Sequence, residues 1–191
     1  MKSPFVRKAF SRSPINRGMR NGMASRIIGP WDWIIAPALI CIAVTIVLAT
    51  SFQPLGFYLP EPVSALVLAF AWPLIRPSYI APVVLGVVGL FLDFFWGAPL
   101  GFWTLLLMLV YGGLTAVRTY VVGQEWIVVF GIYLLVELGF FCLGAVFMTL
   151  DSGGSVPRLW GVVEQMFATT LLFPVVLYLL EKYVHADVRF G

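Results

Sequence analysis

The chain consists of long apolar stretches separated by short polar connections. Crossing a hydrocarbon core of about 30 Å takes about 20 helical residues, and backbone groups in lipid must be paired within a helix or a closed barrel. The alternating pattern of barrel strands is not seen. The pattern therefore predicts an all-α integral membrane fold with six transmembrane helices, near residues 33–51, 62–75, 78–96, 100–117, 126–150 and 159–180.

The second of these stretches is unusually short. Pro60, Glu61 and Pro62 interrupt the apolar run and leave a helix of about 21 Å at a rise of about 1.5 Å per residue. We expect this helix to be tilted, to end in locally thinned bilayer, or to start below the interface.

Composition supports a membrane protein. Hydrophobic residues make up 61% of the 191 residues and charged residues 11%, and the mean hydropathy is +0.97, well above the usual range of soluble domains. With six spans, eleven of the 12 Lys and Arg residues fall on one side. The positive-inside rule makes that side cytoplasmic, so both termini are predicted to be cytoplasmic.

Residues 1–29 form a basic leader without a hydrophobic period, and we expect it to be disordered. Its cations serve as a topology signal and would also attract anionic lipid; a segment that binds a protein partner is the alternative. Nucleic acid is not expected, because no aromatic residues are interleaved with the cations. Residues 30–183 form the membrane domain, in which an uncleaved first span is favoured over a signal peptide, and residues 184–191 form a cytoplasmic tail.

The sequence contains no recognisable catalytic or cofactor-binding set. Cys41 and Cys142 both fall inside predicted spans, and His185 is the single histidine. Metal-ligand spacing, a phosphate-binding loop and a set of Ser, His and acid are all absent from the sequence. We therefore expect a protein that is not an enzyme and that has no cofactor or metal site.

Polar residues inside the predicted spans are the first functional candidates, since ionisable groups are costly in lipid. Glu137 lies near the middle of the fifth span, and Glu164 and Gln165 lie early in the sixth. No cation is available at the depth of Glu137, so the neutral acid is favoured. It would then bond to another helix, to a partner's span, or take part in proton coupling; the acceptors available in other spans are Tyr111, Thr115, Gln165 and Thr169.

Asp93 lies in the last turn of the third span, where the helix dipole disfavours a carboxylate. Gly97 and Pro99 leave room only for a tight turn before the fourth span. We expect the carboxylate to accept hydrogen bonds from the first amides of that span, and Gly86 and Gly89 on the same helix face to permit close packing. A carboxylate that contacts a ligand, or one that faces a partner, is the alternative.

Two further features concern the helix surfaces. Gly112 and Ala116 form a small-xxx-small pair of the type found at helix interfaces in membranes. Tryptophan is enriched at the membrane interface, and five tryptophans fall near predicted span ends, where we expect interfacial anchors: Trp72, Trp96, Trp103, Trp126 and Trp160.

The pattern G-x-x-x-D-x-x-x-G-x-P-L-G runs from Gly89 to Gly101 and includes Asp93, Gly97, Pro99 and Leu100. Together with the preceding short span that ends at 72–77, it resembles the rod shape-determining protein MreD family. The resemblance implies a bacterial inner-membrane subunit of the cell-elongation machinery. It also implies association with MreC, a link to the MreB cytoskeleton, proximity to RodA and its transpeptidase partner, no catalytic residues, and a fold similar to the substrate-binding component of energy-coupling-factor transporters.

A different class of function remains open beside this one. In a solute-binding subunit of a vitamin transporter, Glu61, Asp93 and Asp151 on the outer side would contact the ligand. The outer connections offer few other polar groups beyond the segment 151–155. A proton-coupled transporter using Glu137 is a third class, although the sequence lacks inverted-repeat symmetry.

Overall fold

The computed structural model describes residues 27–29, 31–49, 61–151, 159–185 and 189–190. Most of the predicted leader and parts of the predicted tail lie outside these ranges, as does most of the outer segment 151–155. The described residues are almost entirely helical, with α1 at Ala36–Ala49, α2 at Ser64–Ile75, α3 at Ile80–Trp96, α4 at Phe102–Val121, α5 at Trp126–Asp151, α6 at Leu159–Thr170 and α7 at Phe173–Leu180.

Short elements flank this set of helices. A π-helical turn, Trp31–Ile35, leads into α1, and a second one, Glu181–His185, follows α7. Two-residue strands, β1 at Ile27–Ile28 and β2 at Arg189–Phe190, pair in parallel. This pairing brings the start and the end of the described chain to the same place.

Helix length separates two groups of helices. Among the described residues, α4, α5 and the rod formed by α6 and α7 are long and apolar enough to cross a membrane. The other apolar helices are shorter, at Trp33–Ala49, Ser64–Ile75 and Ile80–Trp96. The membrane character predicted from composition is therefore supported, with three spanning helices identified by length and composition.

The short helix α2 forms the centre of the fold. Every residue from Ala65 to Ile75 is buried, because α1, α3, α4 and α7 pack around it. A helix that is apolar on all sides is suited to this position. With 12 residues, it is about 18 Å long, and protein rather than lipid surrounds it.

The start of α2 is held by hydrogen bonds to α6. The backbone N–H of Val63 donates to Thr169 Oγ1 at 3.0 Å, and the hydroxyl of Tyr133 on α5 donates to the Thr169 carbonyl at 3.0 Å. These bonds satisfy buried polar groups at a point where three elements meet. They fix the entry of the central helix against α6, which is itself bonded to α5.

The helix bounds differ from the predicted spans by a few residues at several ends, and two differences are larger. Helix α4 continues to Val121, past the predicted end at 117. The predicted sixth span, 159–180, is broken at residues 171–172. The break has a local cause, because Pro174 in the first turn of α7 has no N–H to donate to the preceding turn and its ring disfavours a continuous helix.

Helices α3 and α4 pack closely where the glycines of α3 lie. A Cβ on Gly89 would lie 2.5 Å from Thr104 Cα, and one on Gly86 would lie 3.2 Å from Met108 Cε. The close approach expected of Gly86 and Gly89 is therefore present, within the chain itself. Gly112 and Ala116, in contrast, face outward, and nothing lies within 4 Å of a Cβ built on Gly112.

The tryptophans divide into two groups. Trp126 and Trp160 are exposed, as expected of interfacial anchors, whereas Trp72 and Trp103 are buried in the core. The anchor interpretation is wrong for Trp72 and Trp103, because their helix faces point toward other helices. Trp96 is partly buried and packs on Trp103, with ring centroids 4.8 Å apart.

The packing at Gly89 predicts a matched pair of variants. Gly89→Ala should destabilise the fold by about 1–3 kcal/mol, the usual cost of overpacking, because its methyl group meets the backbone of Thr104. Gly112→Ala enters open space and should be neutral or slightly stabilising, since alanine favours helix. Thermal unfolding of the two purified variants in detergent measures the difference. Equal melting temperatures would contradict the packing argument.

Candidate functional site

The connection between α3 and α4 is a compact turn built from glycine and proline. Gly97 ends α3 in the left-handed conformation with φ 64°, and Gly101 precedes α4 with φ 90°. Glycine adopts these angles without the Cβ clash of other residues. The Ala98 N–H donates to the Asp93 carbonyl at 2.9 Å, and the Phe102 N–H donates to the Pro99 carbonyl at 3.0 Å. The tight turn expected from the sequence is present.

The Asp93 side chain caps the start of α4 from the neighbouring helix. Its Oδ2 accepts the Gly101 N–H at 2.8 Å and its Oδ1 accepts the Trp103 N–H at 2.7 Å. The Thr104 hydroxyl donates to Oδ2 at 3.3 Å. The carboxylate is only 1% exposed. The bonds to the first amides of α4 are those expected of Asp93 from its position in the sequence.

The energetic value of this cap is large for one side chain. Each hydrogen bond to a charged group contributes about 1.5–3 kcal/mol, and the amides at a helix N-terminus carry partial positive charge. The contacts with Gly101 and Trp103 therefore offset the unfavourable position of Asp93 at the end of α3. Both carboxylate oxygens are engaged, which argues against a free ligand-binding carboxylate at this position.

Each part of the motif thus has a conformational or packing role, with one exception. Gly89 permits the helices to approach, Asp93 caps α4, and Gly97, Pro99 and Gly101 shape the turn. Leu100 is the exception, because its side chain is 71% exposed.

A second acid is attached to the same hairpin. Glu61 precedes α2, and its Oε2 accepts the indole N–H of Trp96 at 2.9 Å. This bond ties the entry of the central helix to the last residue of α3. No sequence pattern indicates this pairing, since Glu61 and Trp96 are 35 residues apart.

Glu137 is completely buried. Its Oε2 accepts the hydroxyl of Thr170 at 2.8 Å, so it joins α5 to the end of α6. Its Oε1 has no hydrogen-bond partner among the described residues. A bond between helices was expected, but Thr170 was not among the expected acceptors.

Among the described residues, none of the four acceptors expected for Glu137 is hydrogen-bonded to it. Three of them bond elsewhere. Tyr111 Oη donates to the Ser78 carbonyl at 3.0 Å, and Thr115 donates to the Tyr111 carbonyl at 2.7 Å. The Thr169 hydroxyl donates to the Gln165 carbonyl at 2.8 Å. The expectation that one of these groups pairs with Glu137 is wrong, because the rotation of each helix turns them elsewhere.

The other polar candidates, Glu164, Gln165 and Asp151, are exposed or only partly buried. Glu164 is exposed and has no hydrogen-bond partner among the described residues, so a bond to another helix of this chain is not seen for it. Gln165 is partly buried and lines a cavity of about 180 Å³ beside Trp103. Asp151 is exposed and lines a cavity of about 280 Å³ next to the hairpin turn.

Glu61, Asp93, Asp151 and Glu137 do not converge on one cavity. Within the described residues, no group of three or more His, Cys, Asp and Glu side chains is placed to hold a metal ion.

Comparison with models of protein families, with curated proteins and with solved structures gives no match for this chain. The resemblance to the MreD family therefore remains a prediction from the motif.

The cap predicts graded effects at Asp93. Asp93→Ala leaves the amides of Gly101 and Trp103 without their acceptors and should cost about 1–3 kcal/mol for each buried group left unpaired. Asp93→Asn keeps one acceptor oxygen and should be intermediate. The folded fraction after detergent extraction, measured by size-exclusion chromatography, gives the order. Thr104→Val removes the 3.3 Å bond to Asp93 and a 3.5 Å contact with the Gly86 carbonyl but keeps both capped amides, and it is the control with a small effect.

Normal folding of both Asp93 variants would contradict the cap. If both variants folded normally but lost activity in cells, Asp93 would instead be a functional carboxylate.

Proposed function

We propose that this protein is a non-enzymatic scaffold of the bacterial cell-elongation complex, which supports peptidoglycan synthesis and cell shape by binding other membrane proteins. The motif from Gly89 to Gly101 and its resemblance to the MreD family suggest this role. The partners would be an MreC-like single-span protein and RodA with its transpeptidase partner. The MreB cytoskeleton would be linked directly or through these proteins.

Part of this proposal is a six-span topology in the inner membrane with both termini in the cytoplasm. It includes the helical fold of the substrate-binding components of energy-coupling-factor transporters. The cation distribution supports this topology, and so does the pairing of β1 with β2, since it requires these two segments, before α1 and after α7, to lie on one side. In this topology the short helices α1, α2 and α3 would also cross the membrane, alongside the longer helices.

The observation that carries the scaffold proposal is the internal use of the outer carboxylates. Asp93 is engaged by the amides of α4, and Glu61 is bonded to Trp96. A solute-binding site needs convergent polar groups that remain free for the ligand. Recognition by lateral helix contacts needs none, and it fits a chain whose connections are short.

The outer face of α4 is the surface we assign to a partner helix. Gly112 and Ala116 are exposed on it and lie one turn apart. Small residues at this spacing allow the backbone of another helix to approach closely in lipid. The described residues do not pack closely on this pair, which leaves it available to a partner.

A solute-binding transporter subunit is the second candidate. The cavity of about 280 Å³ between the hairpin turn and the end of α5, with Asp151 in its lining, favours it. Most of that lining is apolar, however, with Pro99, Leu100, Phe102 and Phe147 among its residues. A small apolar solute with one cationic group is the ligand that this cavity would suit.

The topology is tested by reporter fusions. Alkaline phosphatase fused after Ser155 should be active, because six spans place this connection outside the cytoplasm. The same reporter fused after Gln124, between α4 and α5, should be inactive. The opposite pattern would rule out the proposed orientation, and activity at both positions would rule out the six-span count.

The function is tested by depletion in a rod-shaped host. Loss of the protein should round the cells and delocalise the wall-elongation enzymes, and added vitamins should not restore the shape. Cells that keep their rod shape, or that recover it with a vitamin supplement, would favour the transporter subunit instead.

Complementation of the depleted cells tests the α4 surface. Gly112→Leu should reduce rescue and weaken co-purification of the single-span partner, because bulk at a small-residue interface blocks close packing. Gly139→Leu is the matched control, since Gly139 is also exposed with open space around it but has Leu143 one turn later. Equal rescue by both variants would count against this surface.

A further inference from the structure

A deep groove runs between α1 and α7, with α2 as its floor. Its volume is about 550 Å³, compared with about 180 Å³ and 280 Å³ for the cavities that Gln165 and Asp151 line. The lining is mainly apolar and includes Ile40, Val44, Val67, Leu68, Val175 and Leu179. We call it the α1–α7 groove.

The length of the α1–α7 groove matches one leaflet of a bilayer. Its lining on the last rod runs from Leu172 to Lys182, which corresponds to about 15 Å of helix at about 1.5 Å per residue. Half of a hydrocarbon core of about 30 Å is the same length. An acyl chain of one leaflet can therefore lie along the whole groove.

One end of the groove carries a positive charge. The Lys182 ammonium lies 5.4 Å from the Tyr178 ring centroid and 5.2 Å from that of Tyr183, and all three residues line the groove. The described residues of the lining include no carboxylate. The charge at this end is therefore complementary to an anionic group that enters with the chain.

The other end of the groove is polar but internally satisfied. The Thr45 hydroxyl donates to the Cys41 carbonyl at 2.9 Å and lies 2.9 Å from Ser64 Oγ. Ser64 Oγ lies 3.2 Å from Cys41 Sγ. These groups bond to one another and do not require a polar ligand, so the end of an alkyl chain can lie against them.

We propose that the α1–α7 groove binds one acyl chain of an anionic phospholipid, with its phosphate headgroup at Lys182. A phospholipid of the same leaflet carries its phosphate at the depth where the groove ends. A partner helix would need an acidic residue at that same depth. Under the proposed topology, Lys182 faces the cytoplasmic leaflet, whose anionic lipids attract cations near the surface.

This inference does not depend on the scaffold role; only the assignment of Lys182 to the cytoplasmic leaflet rests on the six-span topology proposed above. It also differs from the diffuse attraction expected of the basic leader, because it requires one lipid at one site. The test must therefore compare cations at different places on the same full-length chain.

Native mass spectrometry of the full chain, purified in detergent and mixed with phosphatidylglycerol or phosphatidylcholine, is the test. One phosphatidylglycerol should remain bound in preference to phosphatidylcholine. Lys182→Gln should reduce its occupancy about fivefold, the effect of one cation beside an anionic headgroup. Arg118→Gln is the matched control, since Arg118 does not line the groove, and it should retain the lipid.

A second variant tests the acyl chain rather than the charge. Val175→Trp fills the groove and should displace the lipid with Lys182 intact. Leu135→Trp, at an exposed position of α5 outside the groove, should not displace it. Size-exclusion chromatography checks that both tryptophan variants are folded. If Val175→Trp does not fold, Lys182→Gln still tests the inference.

Five outcomes would overturn the inference. The first three are equal retention of the two phospholipids, equal losses in Lys182→Gln and Arg118→Gln, and full occupancy in folded Val175→Trp. Preferential retention of an added polyprenyl phosphate would assign the groove to a different lipid. If Val175→Trp instead released a co-purified single-span protein and left the lipid bound, the groove would belong to a partner helix.

Discussion

The contact between the Asp93 carboxylate and the first amides of α4 determines much of the arrangement around it. With Oδ1 and Oδ2 bonded to Trp103 and Gly101, α4 must start beside the end of α3 and run back along it. Gly89 then lies against Thr104, which sets the separation of the two helices. The same alignment turns the buried face of α4 toward α2, so the enclosure of the central helix depends on this hairpin.

The hairpin was predictable because its chemistry is local. Asp93 and the backbone amides that it caps lie within about one helical turn of the connection. The glycines indicate directly where the turn needs left-handed backbone angles. The partner of Glu137 was not predictable in the same way. Thr170 is 33 residues away, and its direction depends on the rotation of α6 just before the break at residues 171–172. Apolar content predicts that a helix exists, but it does not predict its rotation or such a break.

The burial of Trp72 and Trp103 has a related explanation. Position near the end of an apolar run is compatible both with a lipid interface and with a contact between helices, and only the packing decides between them. The central position of α2 could not be predicted from its sequence either. Its short length admits several explanations, and only the surrounding helices show that it is enclosed by protein.

The distribution of satisfied polar groups bears on where the protein can interact. At the hairpin end, Asp93 and Glu61 are bonded within the chain, and the motif residues other than Leu100 have roles in folding. The resemblance therefore gives no direct evidence for a ligand at these positions. At the opposite side, the α1–α7 groove begins at Leu172, where α6 gives way to α7, and ends at a charged residue, Lys182. Contacts with other molecules are accordingly expected on the outer helix faces and in this groove, and the rigid hairpin serves to hold those surfaces in place.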